Sequence, residues 1–260
     1  MSTFKLFSWN VNGIRAAEKK GFLHWLAASD ADAIGVQEIK AFEAQLSPAL
    51  RAPAGYRTDW VSAEKAGYSG VGIFSRAAGL PVRECHVGLG EARFDVDGRT
   101  LVCEYDAFVL FNIYFPNGGR GPEWVRHKID FYRKFLDVVE GYRSRGRPVV
   151  VTGDVNTAYA EIDLARPQEN NKTSGFLPEE RAALDEFFKA GLIDTFRTLH
   201  PDAQRYTWWD MRTGARARNL GWRIDYFFVT PDLRDAVVGA DIHEAILGSD
   251  HCPISLELRL

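Results

Sequence analysis

At 260 residues with 46% hydrophobic content, the chain can bury a large core and still form one domain over 1–260. An aromatic fraction of 13% excludes a disordered or low-complexity protein. The net charge of −3, from 35 acids and 32 bases, gives no global sign of a polyanion binder, so any such function must rest on local clusters.

Residues 1–10 turn polar too soon for a signal peptide, and no apolar run approaches transmembrane length. The expectation is a soluble, cytoplasmic protein with no membrane partner. Phe4–Trp9 alternates as a strand does, Phe22–Ala28 has helical spacing, and Ala33–Gln37 returns to strand. Val71–Ser75, Leu101–Tyr105 and Phe108–Tyr114 read as further strands, the last two joined by a hairpin turn at Asp106 and Ala107. Pro122–Tyr142 reads as a long amphipathic helix, and the basic run Arg143–Arg147 suits the negative pole at its end. Pro148–Thr152, with its valine run, suits a strand buried on both faces. Pro178–Ala190 reads as a second long helix, with Pro178 near its first position and Glu179 and Glu180 in its first turn. Arg223–Val229, Val237–His243 and Ile254–Leu258 close the chain as strands. This order predicts a layered α/β sandwich with loops gathered at one sheet edge. Cys85, Cys103 and Cys252 are odd in number and widely spaced, which predicts free thiols in a reducing compartment and no thiolate zinc site.

The chemistry-bearing residues recur where strands end. Asn10 and Asn12 follow the first strand, and Glu38 follows Gln37 at the end of the second. Asp154 and Asn156 leave the valine strand two apart, Asp225 sits in Trp222–Tyr226, and Asp250 adjoins His251. Each cluster alone fits an Asx turn or a capping amide equally well. Together they describe an oxygen-rich, hard-cation site suited to phosphate ester hydrolysis. Asp225 can orient and charge His251, as a catalytic imidazole requires. The other histidines (His24, His86, His127, His200 and His243) have no such setting and read as packing or surface residues.

Residues 205–223 hold Arg205, Arg212, Arg216, Arg218 and Arg223 against the single acid Asp210, with Tyr206, Trp208, Trp209 and Trp222 between them. Guanidinium groups for phosphate and flat faces for bases or sugars describe a nucleic-acid groove. A solvated arginine-rich loop over a core edge is the plainer alternative.

Several of these segments carry a resemblance: Ser8–Gly13, Gln37-Glu38, Asn112–Asn117, Gly153–Asn156, Gly221–Tyr226 and Ser249–Pro253. They resemble the exonuclease III family of apurinic/apyrimidinic endonucleases, as do Gly175–Arg181 and Tyr206–Trp209, over essentially the whole chain. The resemblance implies a DNase I-like fold: a four-layered α/β sandwich of two packed mixed β-sheets flanked by helices. It implies Mg²⁺ dependence, with Mn²⁺ able to substitute, and cleavage of double-stranded DNA on the 5′ side of abasic sites. Trimming of 3′ ends to a varying degree, as 3′–5′ exonuclease and as 3′-phosphatase or phosphodiesterase, is also implied, and the expectation is a monomer. By the same resemblance Glu38 is the main metal ligand with Asn10 beside it, and Asp250 is a nearby or alternative carboxylate. Asp154 positions or deprotonates the attacking water and Asn156 holds water or phosphate, each also a possible metal ligand. Tyr114 and His251 bond phosphate oxygens, and Asp225 orients His251. Where some members carry an aspartate this chain has Asn12. Trp208, Trp222 and Ile224 match a pocket for the flipped abasic sugar, with Asn117 and Asn170 on the DNA side. Arg120 and Arg212 stand at positions where relatives insert a wedge into the duplex, and Arg216 and Arg218 read as phosphate-binding residues. The runner-up is a metal-dependent phosphodiesterase or phosphatase of the same fold acting on a non-DNA substrate.

Overall fold

A computed structural model describes residues 3–260. Its strands are β1 (Thr3–Asn10), β2 (Ala33–Gln37), β3 (Tyr56–Val61), β4 (Val71–Arg76), β5 (Val82–Val87) and β6 (Thr100–Tyr105). They continue with β7 (Val109–Tyr114), β8 (Val149–Asp154), β9 (Ile193–Asp194), β10 (Asp225–Val229), β11 (Val237–Ile242) and β12 (Ile254–Arg259). One six-stranded sheet has the order β11-β12-β1-β2-β4-β3 and the other β5-β6-β7-β8-β10-β9. Each holds one parallel pair at its centre, β1 with β2 and β7 with β8. Parallel neighbours end at the same edge, so the last residues of these four strands, Asn10, Gln37, Tyr114 and Asp154, share one rim. Asp225 opens β10 directly opposite Asp154 in an antiparallel register, and Ile254 opens β12 opposite Ser8.

Three apolar cores separate four layers. Leu6, Ile73, Leu110, Val150, Phe227 and Leu256 fill the space between the sheets. Helix Pro122–Arg143 buries Phe131, Phe135 and Val139 against the second sheet, beside Phe187 of helix Pro178–Lys189. Phe22 and Leu26 of helix Phe22–Ala28 cover the first sheet. This is the expected sandwich.

The sequence-based strands fall where expected, and β3, β5 and β9 are additions to them. β3 and β5 lie at sheet edges with mixed exposure, so their sequences carry no clean two-residue alternation. The cysteine expectation is corrected as well. Cys85 and Cys103 are register partners on β5 and β6, with Cα atoms 4.2 Å apart, and form a disulfide. The intervening turn of helix at Ala92–Asp95 hides that pairing behind 18 residues of sequence separation. Cys252 is free and buried.

A polar seam runs between the sheets beneath the rim. Gln37 Nε2 donates to Ser8 Oγ at 2.9 Å and to Asn112 Oδ1 at 2.6 Å. Asn112 Nδ2 donates to the carbonyls of Val36 at 3.1 Å and Gly72 at 2.8 Å. Gly35 leaves room for this, since a Cβ there would lie 2.8 Å from Asn112 Oδ1. Gly35→Ala should therefore destabilise the protein by about 1–3 kcal/mol, the usual range for overpacking. A lower urea midpoint with an unchanged m-value checks this, and an unaltered midpoint refutes it.

Candidate active site

Backbone geometry aims the rim side chains inward. Asn12, Glu38, Lys40 and Asn156 all adopt left-handed φ values, between 45° and 58°. Such conformations are uncommon outside glycine and gather where a site over-determines the chain. Gly153 is needed for a different reason: a Cβ there would lie 1.8 Å from the carbonyl oxygen of Ile113. Only glycine lets β8 sit against β7 at the step before Asp154.

The rim acids meet around one amide. Asn10 Nδ2 donates to Glu38 Oε1 at 2.8 Å and to Asp154 Oδ2 at 2.9 Å. Its own oxygen accepts from the Asn12 N–H at 3.0 Å, so ligation of a metal by Asn10 requires its amide to turn. Lys40 Nζ lies 2.8 Å from Glu38 Oε2 and also bonds Asn12 Oδ1. Asp154 accepts from the Asn156 N–H at 2.9 Å. His251 Nδ1 sits 2.8 Å from Asp225 Oδ2, while Nε2 faces Asp154 Oδ2 at 3.8 Å.

Burial disfavours charge on His251, but Asp225, Asp154 and Asp250 outweigh it and push the imidazole up to about 10. Burial pushes the Asp154 carboxyl up to about 7; His251 opposes this, while Asp225 and Glu38 add to it. Burial, reinforced by Glu38 and Asp154, holds the Tyr114 phenol well above its ordinary value, so it remains a donor. Burial works against ionised Asp250, yet His251, Asn12 and Trp208 keep its carboxyl below the usual range. Asn12 Nδ2 and Trp208 Nε1 hold the two Asp250 oxygens at 2.9 and 3.2 Å.

A cavity of about 200 Å³ opens onto these groups, lined by Trp208, Trp222, Ile224, Asn117, Thr173 and Gly175 beside Tyr114, Asp154, Asn156 and His251. That is below the roughly 300–1,000 Å³ of a drug-sized pocket. The Trp208 and Trp222 rings meet edge-on at 6.3 Å, and their backbones exchange hydrogen bonds at 2.9 Å. Asn117 Nδ2 reaches Asn156 Oδ1 at 2.8 Å.

The arginine-rich stretch divides. Arg205 is tied to Asp241, Glu244 and the Ile242 carbonyl, and Arg223 is buried between Asp163 at 2.8 Å and Asp194 at 2.7 Å. Arg216 donates to the carbonyls of Ser249, Glu244 and Ile246, and lies 4.6 Å from the buried Trp209 ring. Through these bonds Arg216 pins the loop that leads into Asp250 and His251. Arg212 and Arg218 remain on the surface. Arg120 lies outside the cavity, packed 4.7 Å from the Trp124 ring and 5.5 Å from Tyr68. Asn170 also falls outside it, its amide donating to the Arg166 carbonyl at 2.8 Å. Lys40 and Arg99 join the site without being among the residues expected there. Arg99 lies 4.9 Å from the Tyr114 ring and donates to the Tyr68 hydroxyl at 2.6 Å. The signal for Lys40 is its place two residues after Glu38.

Residues 7–251 match the Endonuclease/Exonuclease/phosphatase family. The chain belongs to that family. It is 39% identical to an exodeoxyribonuclease of Bacillus subtilis, covering 98% of this chain and all of that one. It is 37% identical to the DNA repair nuclease APEX1 of Danio rerio, covering 100% of this chain and 83% of the relative. The structure of an AP endonuclease from Leishmania major superposes with a TM-score of 0.89 at 28% identity, covering 99% of this chain and 88% of that one. The two mixed sheets are therefore the DNase I-like arrangement, and the chain is a hydrolase of the nuclease kind. The family is metal-dependent, and Glu38, Asp154 and His251 bring ligand atoms within 4.8 Å of one another. The donor set fits a hard cation. Carboxylate oxygens of Glu38 and Asp154 converge on the Asn10 amide, while Lys40 holds the other oxygen of Glu38.

Because Asp225 is the nearest charge holding the imidazolium, Asp225→Asn should lower the His251 pKa well below the value of about 10. NMR titration of the His251 ring reads this directly, and an unmoved midpoint would place the stabilising charge elsewhere.

Proposed function

We propose that this chain is a Mg²⁺-dependent DNA repair nuclease, cutting duplex DNA on the 5′ side of abasic sites and trimming blocked 3′ ends. The observation that carries the reading is the junction of a sugar-sized aromatic cavity with Asp154, Asn156 and His251 at its mouth. A flipped abasic sugar fits such a slot, whereas a nucleotide bearing its base does not. The names of the relatives, an exodeoxyribonuclease and a DNA repair nuclease, support the DNA substrate. We read the protein as monomeric and cytoplasmic, with duplex DNA as its partner.

In this reading Asp154, held by the Asn10 amide and the Asn156 N–H, orients a water and takes its proton. Asn156, fixed by Asn117 and the Phe115 carbonyl, holds the water or a phosphate oxygen. His251 Nε2–H and the Tyr114 hydroxyl donate to phosphate oxygens that gain charge during attack. Asp225 keeps His251 charged and in place. Glu38 and Asp154, with the turned Asn10 amide, would hold the cation, which supplies positive charge against the phosphate. Asp250 acts here through Asn12 and Trp208, outside the Glu38–Asp154–His251 cluster.

Asp154→Asn should fold, bind an abasic duplex with near-parental affinity, and cut it about 10²–10⁴-fold more slowly, the span of general-base loss. Single-turnover rates decide this, and a variant retaining more than about a tenth of the parental rate overturns the assignment. Excess EDTA should abolish cleavage and added Mg²⁺ restore it; undiminished cutting in EDTA sinks the metal requirement.

The placement of the arginines changes how DNA binding should respond to salt. Arg212→Ala or Arg218→Ala should reduce the slope of log K against log salt by about 1 for each phosphate the variant no longer neutralises. Arg216→Ala should leave the slope alone and lower the melting temperature. A flattened slope in Arg216→Ala would return that guanidinium to the DNA.

A further inference from the structure

Beneath the cavity lies an ion pair that the proposed chemistry does not use. Lys128, from helix Pro122–Arg143, and Glu180, from the first turn of helix Pro178–Lys189, are both fully buried, with Lys128 Nζ 2.8 Å from Glu180 Oε1. Burying such a pair gains little stability over well-packed apolar residues, so its value lies in geometry.

Both members grip backbone that lines the site. Lys128 Nζ donates to the Asn156 carbonyl at 2.7 Å. The carbonyls on either side are gripped too: Tyr132 Oη donates to Val155 at 2.6 Å and Tyr226 Oη to Thr157 at 2.8 Å. Three consecutive carbonyls are thus held by buried donors, around a residue whose φ of 58° needs such support. Glu180 works on the facing wall. Its carboxylate accepts from Ser174 Oγ at 2.9 Å, from the Gly175 N–H and from the Leu177 N–H at 3.2 Å. Gly175 leaves room for the Trp222 ring, which a Cβ there would meet at 3.2 Å, and its carbonyl takes the Ala158 N–H at 2.8 Å.

We propose that the Lys128–Glu180 pair is a positioning device that locks the Asn156 turn and the Thr173–Gly175 wall into one rigid unit. It thereby sets both the rate of the chemical step and the selectivity for an abasic sugar. The inference rests on the nuclease reading above for its catalytic consequences, but its structural part stands apart from activity. Neither side chain touches substrate; Lys128 acts through backbone, and Glu180 through backbone and the Ser174 hydroxyl.

The test uses Lys128→Met with Glu180→Gln, which removes both charges at nearly constant volume, because either change alone strands a buried charge. The double variant should melt near the parental temperature, while hydrogen exchange over residues 156–177 accelerates and the rest of the chain stays protected. On duplex carrying a tetrahydrofuran abasic analogue, kcat should fall by about 10²-fold with KM little changed, as expected for displaced catalytic groups. Ser174→Ala, a milder change outside the ion pair, should lower the ratio of abasic-site cutting to trimming of a recessed 3′ end. A thermal melt run beside it establishes that it is folded, and it then decides the selectivity claim even if the double variant does not fold. Parental exchange and kcat in the double variant, or a parental ratio in Ser174→Ala, overturns the proposal. Accelerated exchange in a protein whose parent cuts neither duplex would leave the lock intact and overturn the nuclease reading instead.

Discussion

Crowding of negative charge governs this site. Glu38, Asp154, Asp225 and Asp250 converge at one rim, and like charges so placed repel strongly in a medium poorer than water in dielectric response. The fold answers with a fixed set of donors. Asn10 lies between two of the acids, Lys40 takes the outer face of Glu38, and His251 sits between Asp225 and Asp154 with its charge enforced by both. The same arrangement that makes four carboxylates tolerable also leaves oxygens aimed at one point. Burial raises the Asp154 carboxyl, the crowding of Asp225 and Glu38 adds to it, and the oxygens of Glu38 and Asp154 are the ones that would hold a cation.

That arrangement depends on strand order. Asn10 and Glu38 come from the first sheet, Tyr114 and Asp154 from the second, and the amide seam of Gln37 and Asn112 sets the spacing between them. A slip of one residue in β1 or β8 would turn Asn10 or Asp154 to the opposite face. The parallel pairs and the close approach at Gly153 remove that freedom.

The central strands are legible in the sequence because burial on both faces writes an unbroken apolar run, as in Val149–Val151. The rim residues are legible because polar side chains cut those runs off abruptly. The edge strands β3 and β5 are not, since Tyr56–Val61 and Val82–Val87 mix exposed and covered positions. The arginines of 205–223 look alike in sequence, yet Arg223 is buried between two aspartates and Arg216 caps three carbonyls, whereas Arg212 and Arg218 face solvent. Nothing local separates these fates; they are decided by acids and carbonyls from elsewhere in the chain, such as Asp163 and Glu244. Glu180 likewise reads as an ordinary first-turn acid, and only tertiary packing brings Lys128 to it. The Cys85–Cys103 bond is hidden for the same reason.

The position of β12 has a consequence for synthesis. This strand closes the sequence but lies inside its sheet, between β11 and β1, and the segment just before it delivers Asp250 and His251. A chain emerging from the ribosome can pair β1 with β2 and assemble the second sheet, yet the imidazole and its neighbouring acid are still missing. Ladder formation on both sides of β12 and completion of the site are therefore one late, long-range event. A chain in which β12 has not yet been inserted beside β1 carries the acids of β2 and β8 without Asp250 and His251 in place.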